Sequence, residues 1–219
     1  MTTHSKSQGF SLLQTIFAIT AFTLMWVGSI RCNFVQFTQM DASDPVSLQL
    51  GIWQYQYWSL LFSSSGTFVL ETCHGYPDSV TIDGNWKAAQ AFSIISFILG
   101  VMVLVVACIS GCATYRPNND LTYGWEAPLY LLTAISQGLT LLLLNSNACK
   151  GETLVDIAGI AMQDYSFPET CSMATGAKLV VSATSFWGAA AVASFLAHKS
   201  EKEEIAEEVD ADLREPLAP

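Results

Sequence analysis

Four stretches of this chain contain no Asp, Glu, Lys or Arg: Ser11–Ile30, Ala88–Ile109, Pro128–Leu144 and Leu179–Ala197. About 20 apolar residues in helical form reach across the hydrocarbon core of a bilayer. Amphipathic helices of soluble proteins, by contrast, carry charges on one face. The pattern therefore predicts four transmembrane helices, with the lipid bilayer as the chain's first partner. The third stretch is the shortest, and Trp125 and Ala127 extend it at its amino end.

Charge bears out the same division. Of the 219 residues, 51% are hydrophobic and 13% charged, against roughly a quarter charged in average usage. The formal net charge is −10, but residues 199–219 hold eight acids and three bases, so −5 of the −10 lies in one terminal tail. No basic cluster suited to a phosphate backbone occurs, which argues against a nucleic-acid partner.

The spans divide the chain into an amino terminus (1–10), helix 1 (11–30), a long loop (31–87), helix 2 (88–109), a short link (110–127), helix 3 (128–144), a medium loop (145–178), helix 4 (179–198) and an acidic tail (199–219). The first span is full length and lacks a small-residue cleavage site before Arg31, so a retained signal anchor is expected. The long and medium loops share one side of the membrane. Lys and Arg number five on the terminal side and four on the loop side, too even a split for the positive-inside bias to orient the chain. Cysteines orient it better. Cys32 and Cys73 fall in the long loop, Cys149 and Cys171 in the medium one, as an oxidising compartment favours. Three pairings are open, and Cys32–Cys73 with Cys149–Cys171 is the simplest. The loops are accordingly expected outside and both termini in the cytoplasm, in a plasma or secretory-pathway membrane.

Within the long loop, Cys32–Thr38 alternates imperfectly. Val46–Trp58 carries Leu48, Leu50 and Ile52 at period two, and Thr67–Thr72 is β-rich. Asp41–Pro45, Pro77-Asp78 and Asp83-Gly84 are turn signals. The expected fold is a membrane α-helical protein: a four-helix transmembrane bundle with a small extracellular antiparallel β-sheet. In the medium loop, Glu152–Met162 suits a strand or a short helix. Trp86-Lys87 suits the headgroup level at the start of helix 2. Small residues four apart (Ser96 and Gly100; Ala134 and Gly138; Ser185, Ala189, Ala193 and Ala197) predict close helix packing, and the amides of Gln14 and Gln137 are expected to bond between helices. In the tail, Ile205, Val209 and Leu213 predict a helix running on toward Pro216.

Gly51-Ile52-Trp53, Cys73 and the run Lys87-Ala88-Ala89-Gln90-Ala91 together resemble the claudin superfamily, the group of claudins, peripheral-myelin and lens tetraspans and channel auxiliary subunits. The family carries Gly-Leu-Trp in its first extracellular loop, then a cysteine pair, then a helix opening on Ala-Ala-Arg-Ala or similar. The order and sizes of the loops agree as well. The family's cysteine shortly after the tryptophan is absent here, where Gln54, Tyr55, Gln56 and Tyr57 follow; the resemblance thus implies Cys32 as the partner of Cys73. It also implies acylation at Cys108 and Cys112, just inside the second helix, where a membrane-proximal thiol suffices.

Catalysis has no visible basis. His4, His74 and His198 lie far apart in the chain, no metal-finger spacing surrounds Cys73-His74, and no phosphate loop or nucleophile elbow occurs. No enzyme activity, cofactor or metal is expected. The expected role is structural: self-association, or assembly with another membrane protein, through a loop rich in aromatics (Tyr55, Tyr57, Trp58, Phe62, Tyr76). Channel or small-solute transport by an oligomer, lined by loop acids such as Asp41, Asp44, Asp78 and Asp83, is the alternative.

Overall fold

A computed structural model describes residues 4–38, 47–63, 66–112, 125–150 and 171–214. The expected turn at 41–45 and the segment 152–162 lie outside them. Four helices dominate: α1 (His4–Ile30), α2 (Gly84–Cys112), α3 (Glu126–Leu139) and α4 (Thr175–Arg214). Within them, Leu12–Ile30, Gly84–Cys108, Glu126–Asn145 and Thr175–Ser200 are long and apolar enough to cross a membrane, which makes this the framework of a multi-pass membrane protein.

α1, α2 and α4 outrun their charge-free stretches, while α3 begins before its own and stops short of its end, each for local reasons. Among the described residues α1 already includes His4–Phe10, ahead of the charge-free stretch. α2 begins at Gly84 because Asp83 caps it: the Trp86 N–H donates to Asp83 Oδ1 at 2.9 Å, the standard use of an N-cap carboxylate. α3 tolerates Pro128 because a proline in the first helical turn forfeits no internal hydrogen bond. After Leu139 the chain tightens into a 3-10 turn over Thr140–Asn145, a common way to close a helix end. α4 continues through Ser200 into the charged tail as far as Arg214, where Lys199 and Glu203 approach to 3.9 Å one turn apart.

Five strands form one antiparallel sheet: β1 (Val35–Thr38), β2 (Ser47–Leu50), β3 (Gln54–Ser63), β4 (Gly66–Gly75) and β5 (Ser172–Met173), in the order β4-β3-β2-β1-β5. The alternation seen in the long loop sets the register. Val35 pairs with Leu50 and Phe37 with Leu48 on the buried face, while Gln36 pairs with Gln49 on the other. Val46–Trp58 is two strands, not one. The chain turns at residues 51–53, and β3 runs back to form a ten-residue ladder with β4. The medium loop contributes β5, which pairs with β1 at Val35 and Gln36.

Two apolar cores result. One lies under the sheet, where Phe34, Phe37, Leu48, Leu50 and Ile52 meet Trp86 and Ala89 of α2, Leu143 and Ala148 after α3, and Ala177 and Val180 of α4. The other lies inside the bundle, around Ala18, Ala21, Val103, Tyr130, Ala134, Trp187 and Ala190. The outward helix surfaces bear Ile16, Ile19, Ile94, Ile98, Met102, Leu131, Ile135, Val192 and Phe195, a surface matched to lipid and not to water.

α1 and α4 cross where two glycines meet. A Cβ on Gly28 would lie 2.9 Å from the Gly176 carbonyl oxygen, and one on Gly176 at 2.9 Å from that of Gly28. Close backbone approach of this kind is how helices associate in lipid. Ser96 is buried and Gly100 packs against Phe22, Met25 and Trp187, and Ala134 lies in the bundle core. The α4 stripe differs from the one expected. Its buried positions are Ala183, Trp187, Ala190, Ala193, Ser194 and Ala197. Ser185 points outward and bonds back to the Val181 carbonyl. The large Trp187 fills the bundle core, so the packing face is rotated away from Ser185 and Ala189.

Candidate functional site

The loop between β2 and β3 is the joint between sheet and bundle. Gly51 occupies its tightest point: a Cβ there would lie 2.5 Å from the Arg31 carbonyl oxygen and 2.9 Å from Cys32 Cα. No other residue fits between the end of α1 and the turn. The Gly51 N–H donates to the Gln54 carbonyl at 2.7 Å, closing the turn, and the Gly51 carbonyl accepts from the Tyr76 hydroxyl at 2.7 Å.

Ile52 is fully buried. Its carbonyl accepts from Trp86 Nε1 and from Gln90 Nε2, each at 3.1 Å. Trp86 and Gln90 stand one turn apart on α2, so one helix face reaches both lone pairs. Ala89, between them in sequence, packs into the core under the sheet. Ala88 is half-buried and Ala91 exposed. The two motifs, Gly51-Ile52-Trp53 and Ala88-Ala89-Gln90-Ala91, are thus opposite sides of one contact. Trp53 turns away from that contact and is 39% exposed. Trp86 is completely buried against the protein and bonded, while Lys87 beside it is exposed.

Aromatic packing reinforces the joint. Tyr76 meets Trp86 edge to face at 4.7 Å between centroids, and Tyr55 lies 5.7 Å from Tyr76. Burial pushes the Tyr76 phenol well above its ordinary value, aided by nearby Tyr55 and opposed by the bond to Gly51. The hydroxyl is therefore a neutral, fixed donor. Tyr55 and Tyr76 are half-buried and pack against the core under the sheet. The side chains of Tyr57, Trp58 and Phe62 lie outside the described residues.

Two disulfides hold the sheet to the helices. Cys32–Cys73 joins the end of α1 to β4, with Cα atoms 5.8 Å apart. Cys149–Cys171 joins the segment after α3 to the residue before β5, at 4.9 Å. Asp83 adds a polar tie that the sequence hid as a turn signal. Its Oδ1 caps α2, and its Oδ2 accepts from the Asn147 N–H at 2.9 Å. Asn147 Nδ2 donates to the Thr81 carbonyl, and Asn85 Nδ2 to that of Asn145. An Asp three residues before the third residue of a helix was the available signal.

Elsewhere, Gln14 Nε2 donates to Glu126 Oε2 at 2.9 Å and to the Tyr130 hydroxyl at 3.0 Å, bridging α1 and α3. Gln137 does not bridge as expected: its amide is fully buried, with neither Oε1 nor Nε2 hydrogen-bonded. Cys108 is a free, exposed thiol on α2. Cys112 closes the same helix, and its side chain lies outside the described residues. Among the described residues, no three His, Cys, Asp or Glu side chains gather to hold a metal. The joint fixes the sheet's position on the helix ends through hydrogen bonds and ring contacts.

No protein-family model matches the chain, and no curated protein matches it.

Proposed function

We propose that the chain is a claudin-like four-helix membrane protein of a plasma or secretory-pathway membrane, with both termini in the cytoplasm, whose external sheet serves assembly. That role is adhesion, lateral association, or attachment as an auxiliary subunit to another membrane protein. The observation that carries the reading is the joint at Ile52. A short antiparallel sheet standing on helix ends is held by two disulfides, by both lone pairs of one buried carbonyl, and by the Asp83 ties. A two-stranded ladder alone is marginal in water; braced in this way it presents a fixed shape, which association requires because a pre-ordered surface loses little entropy on binding. In this reading Cys108, free and exposed on α2, and Cys112 at the end of the same helix are the thiols offered for acylation on the cytoplasmic side.

Thiol mapping and cross-linking test the two halves of this reading. In intact cells, Cys32, Cys73, Cys149 and Cys171 become reactive to an impermeant maleimide only after reduction, and Cys108 only after permeabilisation. Labelling of Cys108 from outside overturns the topology. In mild detergent the protein runs as an oligomer or carries a second membrane protein with it. A lone monomer, or conductance in reconstituted bilayers that is lost when Asp78 and Asp83 are neutralised, overturns the assembly role, and the latter outcome favours transport.

A further inference from the structure

α4 does not stop with its membrane span. Thr175–Ser200 is long and apolar enough to cross, yet the helix runs on to Arg214, about 20 Å further at 1.5 Å per residue. Residues 199–219 hold eight acids and three bases, and the helix sorts them by side. At about 100° per residue, Glu201, Glu204 and Glu208 prolong the side on which Ala190, Ala193 and Ala197 are buried. The apolar positions fall elsewhere. Ile205, Ala206, Val209 and Leu213 share an arc of about 100°. No acid falls on it, and Lys202 is its one base.

That arc continues the outward surface of the span, not its packed one. Phe195 is 63% exposed. Ala206, Val209 and Leu213 follow it by close to three, four and five whole turns of 3.6 residues. Lys202 and Ala206, both on the arc, are exposed. One side of α4, free of acids from Phe195 to Leu213, thus leads from the level of lipid into the aqueous phase. An apolar stripe on an otherwise charged helix is the pattern of a helix that packs against a neighbour.

We propose that this side of α4 docks a helix of another membrane protein, one that leaves the membrane alongside α4 and carries Lys or Arg on the flanks of its own apolar stripe. The inference deepens the assembly role proposed above and rests on it and on its topology. Three other occupants fit less well. A second copy brings together two tails of the same sign, each with eight acids against three bases, and like charges on facing helices oppose pairing. The cytoplasmic leaflet is itself anionic and repels an acidic helix, so the stripe does not lie down on lipid. A soluble basic segment covers the tail but leaves the Phe195 end of the same side unmatched. A partner helix meets both parts: apolar beside Phe195, basic beyond the membrane. Lys and Arg are what the cytoplasmic ends of spans supply. Asp212 borders the stripe on one side and Asp210 on the other, the flanking positions at which charges choose partners in paired helices.

The test reconstitutes the full-length protein in phosphatidylcholine nanodiscs with a synthetic peptide: a leucine-alanine span, then a helical extension with leucine at every fourth position among lysines. Energy transfer between fluorophores on the two carboxyl termini reads association. Transfer should saturate with the peptide, and should need about tenfold more of it at high salt than at low, as screening of paired surface charges requires. The same peptide with glutamate for lysine should not pair. Val209→Ala with Leu213→Ala keeps the helix, since alanine favours it, and should weaken association about tenfold for the apolar surface removed. Asp210→Asn with Asp212→Asn should weaken it about threefold and flatten the salt dependence. Equal transfer with the glutamate peptide, indifference to salt or to the alanine pair, or stronger transfer between two labelled copies of the protein each overturn the proposal. Labelling of Cys108 from outside intact cells overturns the topology and this contact with it. A second membrane protein that stays bound in mild detergent despite the alanine pair overturns the tail contact alone and leaves the assembly role standing.

Discussion

Tyr76 shows how much one side chain can fix. Its hydroxyl donates to the Gly51 carbonyl and its ring abuts Trp86, so it clamps the tight turn against α2. Tyr76→Phe keeps the ring and loses the bond, and should cost about 1 kcal/mol in thermal unfolding of the detergent-solubilised protein. The pH dependence has a definite sign. Burial raises the phenol's pKa in the folded state above its unfolded value. Its stabilisation is therefore complete below the unfolded value of about 10 and fades as pH climbs past it. The gap in stability between the natural protein and Tyr76→Phe should shrink above that pH; a gap constant to higher pH refutes the assignment. Residue roles of this kind were only partly legible. The glycine at 51 could be singled out, but not the reason for it, because the atoms that exclude a Cβ belong to Arg31 and Cys32. Trp86 was legible as an aromatic at the start of helix 2, but its partner, the Ile52 carbonyl, is a backbone atom that leaves no mark in sequence.

Among the elements, α2 depends most on what precedes it. Asp83 holds its first turn and, through the other carboxylate oxygen, the segment after α3. Asp83→Ala should cost about 2 kcal/mol, a lost cap together with an Asn147 N–H left without its acceptor. Asp83→Asn keeps one accepting oxygen and should cost about half as much. Hydrogen exchange at the Trp86 and Asn147 amides reports the two ties separately: both accelerate in the alanine variant and only one in the asparagine variant. Charge-free length located all four helices, since lipid demands it of any span. It could not locate their ends, because caps and 3-10 turns are decided by single polar atoms. The same limit merged β2 and β3. The period-two pattern runs unbroken through Leu48, Leu50 and Ile52, and the reversal is imposed by the close passage of α1.

For the molecule as a whole, the sheet stands on the helix ends over a shared apolar core and is tied to them by two disulfides. Cys32–Cys73 closes 41 residues and Cys149–Cys171 closes 22. On loop entropy, replacing the first pair by serine should cost about 4 kcal/mol and the second about 3. Unfolding of the two double variants, read by intrinsic tryptophan fluorescence, should rank them in that order. Equal loss would mean that the ladder between β3 and β4 already restrains the longer loop. The architecture at this scale was the most legible part, because cysteine placement and apolar patterning are properties of the entire chain. The pairing of β5 with β1 was not. Two residues from the medium loop complete the sheet, and a strand so short has no periodicity to read.

Ile52 offers a single oxygen to α2, and both of its lone pairs are taken. The sheet is therefore fastened to α2 at one backbone atom from two positions one turn apart, and a shift of the sheet off that helix strains these bonds together with the edge-to-face contact of Tyr76 on Trp86.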